Sequence, residues 1–161
     1  MGESRNSFKI TLIIRSNNDN DVFYKRDGRR FDAENTIKLL IEQNYRFTVT
    51  IKPSLPLQSV SVQGAGLSVI DLSQQESEGS KYIFHWSSTK ISASKKKDRT
   101  LVQLLLQFQD GLSLVLPLQV KFYRPEDNDH LIWGNPLNFI DYDCLVKPGL
   151  TAVNIVKEVF R

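Results

Sequence analysis

The feature that most constrains this chain is a two-residue hydrophobic period that recurs along almost its whole length. Across residues 45–52, Tyr45, Phe47, Val49 and Ile51 alternate with Arg46, Thr48, Thr50 and Lys52. Successive side chains of an extended strand point to opposite faces, so this pattern makes a strand with one buried and one wet face. The same period sets Phe8, Ile10, Leu12 and Ile14 on one face near the start, and Tyr82, Phe84 and Trp86 on one face in the middle. Val102, Leu104, Leu106 and Phe108 form a further stripe, followed after Gln109-Asp110-Gly111 by Leu112, Leu114, Leu116, Leu118, Val120 and Phe122. Shorter strands are expected at residues 22–25, 36–40, 59–62, 67–72, 139–144 and 153–159, the last also compatible with a helix. No segment carries a convincing helical stripe. The expected architecture is therefore all-β, a single antiparallel β-sandwich or flattened barrel forming one domain over residues 1–161.

The Asp110-Gly111 connection specifies its own register. A two-residue turn would set Phe108 opposite Ser113, matching an apolar face to a polar one. A three-residue loop with Gly111 in the left-handed region instead pairs Phe108 with Leu112, Leu106 with Leu114 and Leu104 with Leu116. Pro117 has no N–H to give to a ladder, so its strand is expected at a sheet edge or with a bulge there.

Composition narrows the chemistry. Cys144 is the single cysteine, which excludes an intramolecular disulfide and suits a reducing, cytoplasmic setting. No apolar run approaches the ~20 residues that span a bilayer, and the first residues lack the charge and apolar core of a secretory signal. Myristoylation after Met1-Gly2 asks for a hydroxyl residue where Asn6 stands, and Ser7 comes one place late. His85 and His130 are the only histidines, and nucleophile elbow, phosphate loop and paired-cysteine motifs are absent. The expectation is no enzyme, no cofactor and no metal, with Cys144 as buried filler. The run Asn17-Asn18-Asp19-Asn20-Asp21 resembles the start of a calcium loop, but Val22 stands where glycine is required and Gly28 where a bidentate glutamate is required. It reads as a turn. A net charge of +3 with pI ≈ 9.0 permits acidic partners. Without ribonucleoprotein strand signatures or a helix–turn–helix pattern, nucleic acid is not an expected partner.

Lys25-Arg26-Asp27-Gly28-Arg29-Arg30 places four cations around one Asp-Gly signal. A two-residue turn with Gly28 would oppose Arg26 to Arg29, Lys25 to Arg30 and Tyr24 to Phe31. Like charges facing across strands cost from a few tenths to ~1 kcal/mol each, so stability alone does not select this arrangement. Lys25, Arg26, Arg29 and Arg30 are therefore candidate contacts for an acidic or phosphorylated protein tail whose backbone pairs with an exposed strand, with Tyr24 and Phe31 as apolar anchors behind the tip. A solvated tip, with Tyr24 and Phe31 in the core, is the alternative. Lys95-Lys96-Lys97 reads as a solvated loop. Trp133 is expected to pack as an anchor beneath a loop, its backbone constrained by Gly134 and Pro136.

Several strings carry a family resemblance: VFYKRDGRRF at residues 22–31, TIKLL at 36–40, YRFTVTIKPS at 45–54, and a C-terminal block with Lys121-Phe122-Tyr123, Asp129-His130, Trp133-Gly134, Pro136 and residues 140–144. With Val156-Lys157-Glu158-Val159-Phe160 they span about half the chain in family order, and the chain resembles the cannabinoid receptor-interacting protein family. The resemblance implies a small cytoplasmic protein without enzyme activity. Such a protein binds the C-terminal tail of a G-protein-coupled receptor, is recruited by it to the inner face of the plasma membrane and modulates its signalling. It also implies likeness in fold to the Rho guanine-nucleotide dissociation inhibitors, whose sandwich holds a lipid chain between its sheets; a carrier of a lipidated protein's acyl or prenyl chain is thus the alternative function. Residues 74–100 and the first twenty residues depart from the pattern of vertebrate members. The terminal Arg161 does not suit the apolar pocket of a PDZ domain.

Overall fold

The computed structural model describes residues 7–161, apart from the side chain of Asn128. The expectations attached to Gly2 and Asn6 lie outside the described residues. Seven strands come first: β1 (Ser7–Ser16), β2 (Val22–Arg26), β3 (Asn35–Leu40), β4 (Asn44–Lys52), β5 (Leu57–Val62), β6 (Ala65–Leu67) and β7 (Val69–Asp71). They are followed by β8 (Ser80–Ser87), β9 (Thr100–Phe108), β10 (Ser113–Tyr123), the one-turn helix α1 (Asn128–Leu131), β11 (Asn135–Leu137), β12 (Ile140–Leu145) and β13 (Asn154–Phe160). One sheet has the order β13-β12-β1-β4-β8-β7 and the other β11-β2-β3-β10-β9-β5-β6. The two pack face to face as an all-β sandwich that does not close into a barrel.

The stripes read from the sequence meet across the ladders. Ile10 opposes Ile51, Leu12 opposes Val49 and Ile14 opposes Phe47; Phe47 in turn opposes Phe84, and Tyr45 opposes Trp86. On the facing sheet Leu104 opposes Leu116 and Leu106 opposes Leu114. These side chains form one buried cluster between the sheets, each contributing roughly 1.5–3 kcal/mol by leaving water.

The β9–β10 loop has the expected three residues. Phe108 N–H donates to Leu112 O at 2.9 Å, Gly111 N–H donates to Phe108 O at 3.1 Å, and Gly111 stands at φ +93°, a region that L side chains rarely adopt. Pro117 departs from expectation, because β10 lies inside its sheet between β9 and β3. The ladder tolerates it there because Gln103, directly opposite, directs its backbone away from it: Gln103 N–H donates to Gln63 Oε1 at 2.8 Å and Gln103 O accepts from Gln63 N–H at 3.0 Å. On the other side of β10, β3 pairs only from Val120 onward, so nothing asks Pro117 for a donor.

Two further differences stand out, and one expected strand is borne out over its helical alternative. The β3–β10 pair is parallel, so the sheets are not purely antiparallel; these strands come from distant parts of the chain and are not constrained by a hairpin. The strand expected over residues 67–72 is divided: β6 pairs with β5 in one sheet and β7 with β8 in the other. The last segment is a strand, paired with β12. In the 17–21 turn, Asp21 pairs with Arg15 and Asp19 with Arg46, while Asn20 N–H donates to Ser16 Oγ at 3.0 Å.

Candidate functional site

The basic segment folds differently from the two-residue hairpin, and Asp27 is the cause. β2 and β3 pair with Arg26 opposite Asn35, Lys25 opposite Thr36 and Tyr24 opposite Ile37. The connection is the whole of residues 27–34. Arg26 therefore does not face Arg29, nor Lys25 Arg30, nor Tyr24 Phe31. Asp-Gly pairs favour tight turns, with the aspartate bonding its own nearby backbone, whereas the Asp27 side chain has no exposed surface and bonds to distant groups instead. Arg99 Nε lies 3.1 Å from Asp27 Oδ2 and Nη2 3.3 Å from Oδ1, a fork that matches carboxylate geometry. The Thr36 hydroxyl also donates to Asp27, and Gln119 Nε2 donates to Thr36 Oγ1 at 2.9 Å. Burial alone would raise the Asp27 pKa, but the hydrogen bonds from Arg99 and Thr36 outweigh it and hold the carboxyl below its usual value. Asp27 N–H and Gly28 N–H both donate to Glu34 O, at 2.7 and 3.1 Å, which closes the loop. The Arg99 guanidinium lies 4.2 Å from the centre of the Phe31 ring, with Arg30 at 5.7 Å, so Phe31 is half-buried inside its own loop.

The four cations consequently part company. Arg26 pairs with Glu34 at 3.1 Å, beside Tyr24, whose ring lies 5.1 Å from that of Phe160 on β13. Arg29 and Arg30 are exposed, and among the described residues neither pairs with a carboxylate. Their loop adjoins β13: Glu158 shares one groove with Arg30 and Phe31 and a second with Tyr24, Arg26 and Glu34. β13 has β12 as its one neighbour in the sheet, so its outer row of N–H and C=O groups is a seven-residue open edge among the described residues. Glu158 is exposed as a residue, and local desolvation of its carboxyl in these grooves raises it above its ordinary value.

Lys25 turns the other way, into a cleft of about 860 Å³. Lys25, Lys38, Lys95, Lys96, Lys121 and Arg124 line it, Asp127 is the one carboxylate in the lining among the described residues, and Lys25 also lies 3.9 Å from the buried Asp27. The whole chain nets only +3, so positive charge is concentrated here. Lys38 and Lys121 are direct neighbours in the parallel β3–β10 register. Lys38 is 6% exposed because residues 130–133 cover it: its Nζ donates to His130 O at 3.0 Å and to Trp133 O. Burial, then the charges of Lys25 and Lys121, lowers the Lys38 pKa; burial, then Arg99 and Lys25, lowers that of Lys121. Both ammonium groups lie near the Tyr123 ring, at 5.9 and 5.2 Å. Lys95 and Lys96 are exposed in a loop, as expected, and that loop forms one wall of a cleft that no local sequence pattern shows. Each lysine looks ordinary in its own strand or loop, and only the parallel pairing gathers them.

Trp133 is not a buried anchor. It is 59% exposed at the lip of this cleft, next to Ile132 at 56%, with its ring against His130 at 4.5 Å. The backbone explains why: Gly134 stands at φ +122°, and a Cβ there would come 2.5 Å from Tyr24 O. The chain is pressed onto β2 at Gly134 and continues through Pro136, which pairs with Phe23. Trp133 contributes its carbonyl to Lys38 while its indole faces outward.

The remaining candidates are quiet. Burial, then Asp143, pushes the Cys144 thiol up to about 12, the opposite of an activated nucleophile. Phe47, Phe84, Phe108, Phe122 and Tyr142 fill the space between the sheets, each under 2% exposed, and this packing gives the lipid-carrier alternative no support.

A family model for CB1 cannabinoid receptor-interacting protein 1 matches residues 4–160. The protein of that name from Homo sapiens is 32% identical over 164 residues, covering 99% of this chain and 99% of its own length. Those from Bos taurus and Mus musculus are 30% identical with the same coverage. The VFYKRDGRRF string, the Trp133-Gly134 turn and the order of strands thus fall within a match that runs from end to end, and the chain belongs to the CB1 cannabinoid receptor-interacting protein 1 family.

Proposed function

We propose that this protein is a single-domain, non-enzymatic adaptor that binds the C-terminal tail of a G-protein-coupled receptor at the inner face of the plasma membrane and modulates its signalling. The observation that carries the reading is the placement of Arg29 and Arg30, exposed and without carboxylate partners among the described residues, beside the open edge of β13. An extended tail adds to β13 as a further strand, and main-chain hydrogen bonds supply affinity without demanding one sequence. Its acidic or phosphorylated stretch meets Arg29 and Arg30. Arg26 is recruited from Glu34, while Tyr24 and Phe160 form an apolar wall behind them. Phe31 supports the loop from within through Arg99, and Lys25 belongs to the separate lysine cleft.

The test is binding of receptor-tail peptides to the wild type and to Arg29→Glu/Arg30→Glu. If the two arginines steer association, the variant binds more slowly and its salt dependence flattens, while the fold survives because both side chains are in solvent. Unchanged affinity at low salt, with folding confirmed, removes this loop from the binding site.

A further inference from the structure

We infer that the lysine cleft is a membrane-docking site that takes the headgroup of a polyphosphorylated inositol lipid, with Ile132 and Trp133 seated in the bilayer interface beside it. This goes beyond receptor-tail binding and uses a different surface from the β13 edge.

The charge argument comes first. Lys25, Lys38, Lys95, Lys96, Lys121 and Arg124 face a common space whose lining holds one carboxylate, Asp127, among the described residues. The buried Asp27, 3.9 Å from Lys25 and already held by Arg99, offsets part of this charge, while Lys25 and Lys121 both act on Lys38. Cations gathered in this way repel one another unless an anion joins them. At the floor, Lys38 is an ammonium with little solvent and no carboxylate of its own among the described residues. An ammonium has three donors; two go to His130 O and Trp133 O, and the third is left for a ligand. These cations are almost all lysines, compact point charges that surround a phosphate rather than fork onto a carboxylate. A space of about 860 Å³ exceeds the needs of a single phosphate and accommodates a ring bearing several.

The rim decides between a lipid and a soluble anion. Ile132 and Trp133 are two of the largest exposed apolar side chains of the protein, adjacent in sequence and carried by the segment that covers Lys38. Tryptophan favours the membrane–water interface, where its ring is apolar and its N–H stays wet. Stable attachment to a bilayer takes two signals; a basic cleft and an apolar lip side by side provide both. A phosphopeptide in the cleft would explain the lysines but would leave the exposed Ile132-Trp133 pair without a role.

Sedimentation with phosphatidylcholine vesicles carrying phosphatidylinositol bisphosphate tests this, against vesicles brought to the same total charge with phosphatidylserine. The bisphosphate vesicles should bind more tightly, and soluble inositol trisphosphate should compete. Lys96→Gln/Lys121→Gln should weaken that binding about thirtyfold, taking the usual contribution of a basic residue near an anionic surface, while its affinity for a receptor-tail peptide is unchanged. Its melting temperature should be equal or higher, since two mutually repelling charges are gone. Trp133→Ala should weaken vesicle binding and leave inositol trisphosphate binding intact, and Trp133 emission should shift to the blue on bisphosphate vesicles. Equal binding to the two vesicle types would overturn the headgroup site in favour of diffuse attraction. So would failure of inositol trisphosphate to compete. A phosphorylated peptide that loses affinity in Lys96→Gln/Lys121→Gln, with no vesicle binding by the wild type, would reassign the cleft to peptides.

Discussion

Arg99→Met isolates the device that shapes the basic loop. The side chain of Asp27 is fully enclosed and that of Arg99 is 7% exposed, so deleting the guanidinium leaves a buried carboxylate with the Thr36 hydroxyl and the Lys25 ammonium at 3.9 Å. Breaking a buried pair from one side costs roughly 3–5 kcal/mol. The surviving Lys25 and Thr36 contacts offset part of this, so the expected loss is about 3 kcal/mol, or roughly 6–12 °C in melting temperature for a domain of this size. The double variant Asp27→Asn/Arg99→Met removes the stranded charge and should recover at least about 1.5 kcal/mol of that loss. The pH dependence has a definite sign. In the wild type the Asp27 pKa is depressed on folding, so its contribution is fully present above the unfolded value near ~4 and is lost as pH falls through the lower folded value. In Arg99→Met, burial is no longer opposed by the guanidinium; Asp27 titrates above its ordinary value, and the variant recovers as pH falls through it. The stability gap between the two proteins is therefore widest near neutrality and narrows in acid. Urea denaturation followed by circular dichroism at several pH values measures it. A loss below about 1 kcal/mol at neutral pH, or a gap that does not change with acid, would refute the assignment of Asp27–Arg99 as the clamp.

Three other outcomes follow from the packing. Trp133→Ala should change stability by less than about 0.5 kcal/mol, whereas Trp86→Ala, which empties a site between Phe47 and Phe122, should cost about 3–5 kcal/mol; comparable losses in thermal denaturation would contradict the exposure of Trp133. Gly134→Ala meets both a positive φ and the Tyr24 carbonyl at 2.5 Å and should cost about 2–3 kcal/mol, with Lys38 losing its cover; a neutral effect in the same assay would show that the turn is not pressed onto β2. The Cys144 thiol, buried and pushed up to about 12, should resist iodoacetamide at mildly alkaline pH in the native protein and react once denatured; rapid native labelling read by mass spectrometry would contradict its burial.

The large strands were legible because a two-residue period is a direct consequence of extended backbone, and Ile10, Phe47, Phe84 and Leu116 needed no tertiary information to be placed inward. The β9–β10 loop was legible for the same reason: two stripes and one glycine leave a single register that aligns them. Residues 27–34 were not, because whether Asp27 turns outward depends on Arg99, which arrives from residues distant in sequence. The lysine cleft was hidden more deeply. Lys38 and Lys121 become neighbours only through a parallel pairing that no local pattern encodes. Trp133 misled because Gly134 and Pro136 do constrain the chain there, yet they fix the backbone against β2 and leave the indole on the outside.

The position of β1 bears on how the molecule comes into being. It lies between β4 and β12, so Ile10 is flanked by Ile51 on one side and Tyr142 on the other. On the ribosome the first partner emerges early and the second only after β5 to β11 have followed. Until then, ten residues of β1 present a bare row of donors and acceptors above a half-covered apolar face, the surface most prone to pair with another chain. The earliest described strand to leave the ribosome is thus among the last to be enclosed. Completion of β12, rather than the appearance of any amino-terminal hairpin, closes the second edge of β1 and ends this particular exposure.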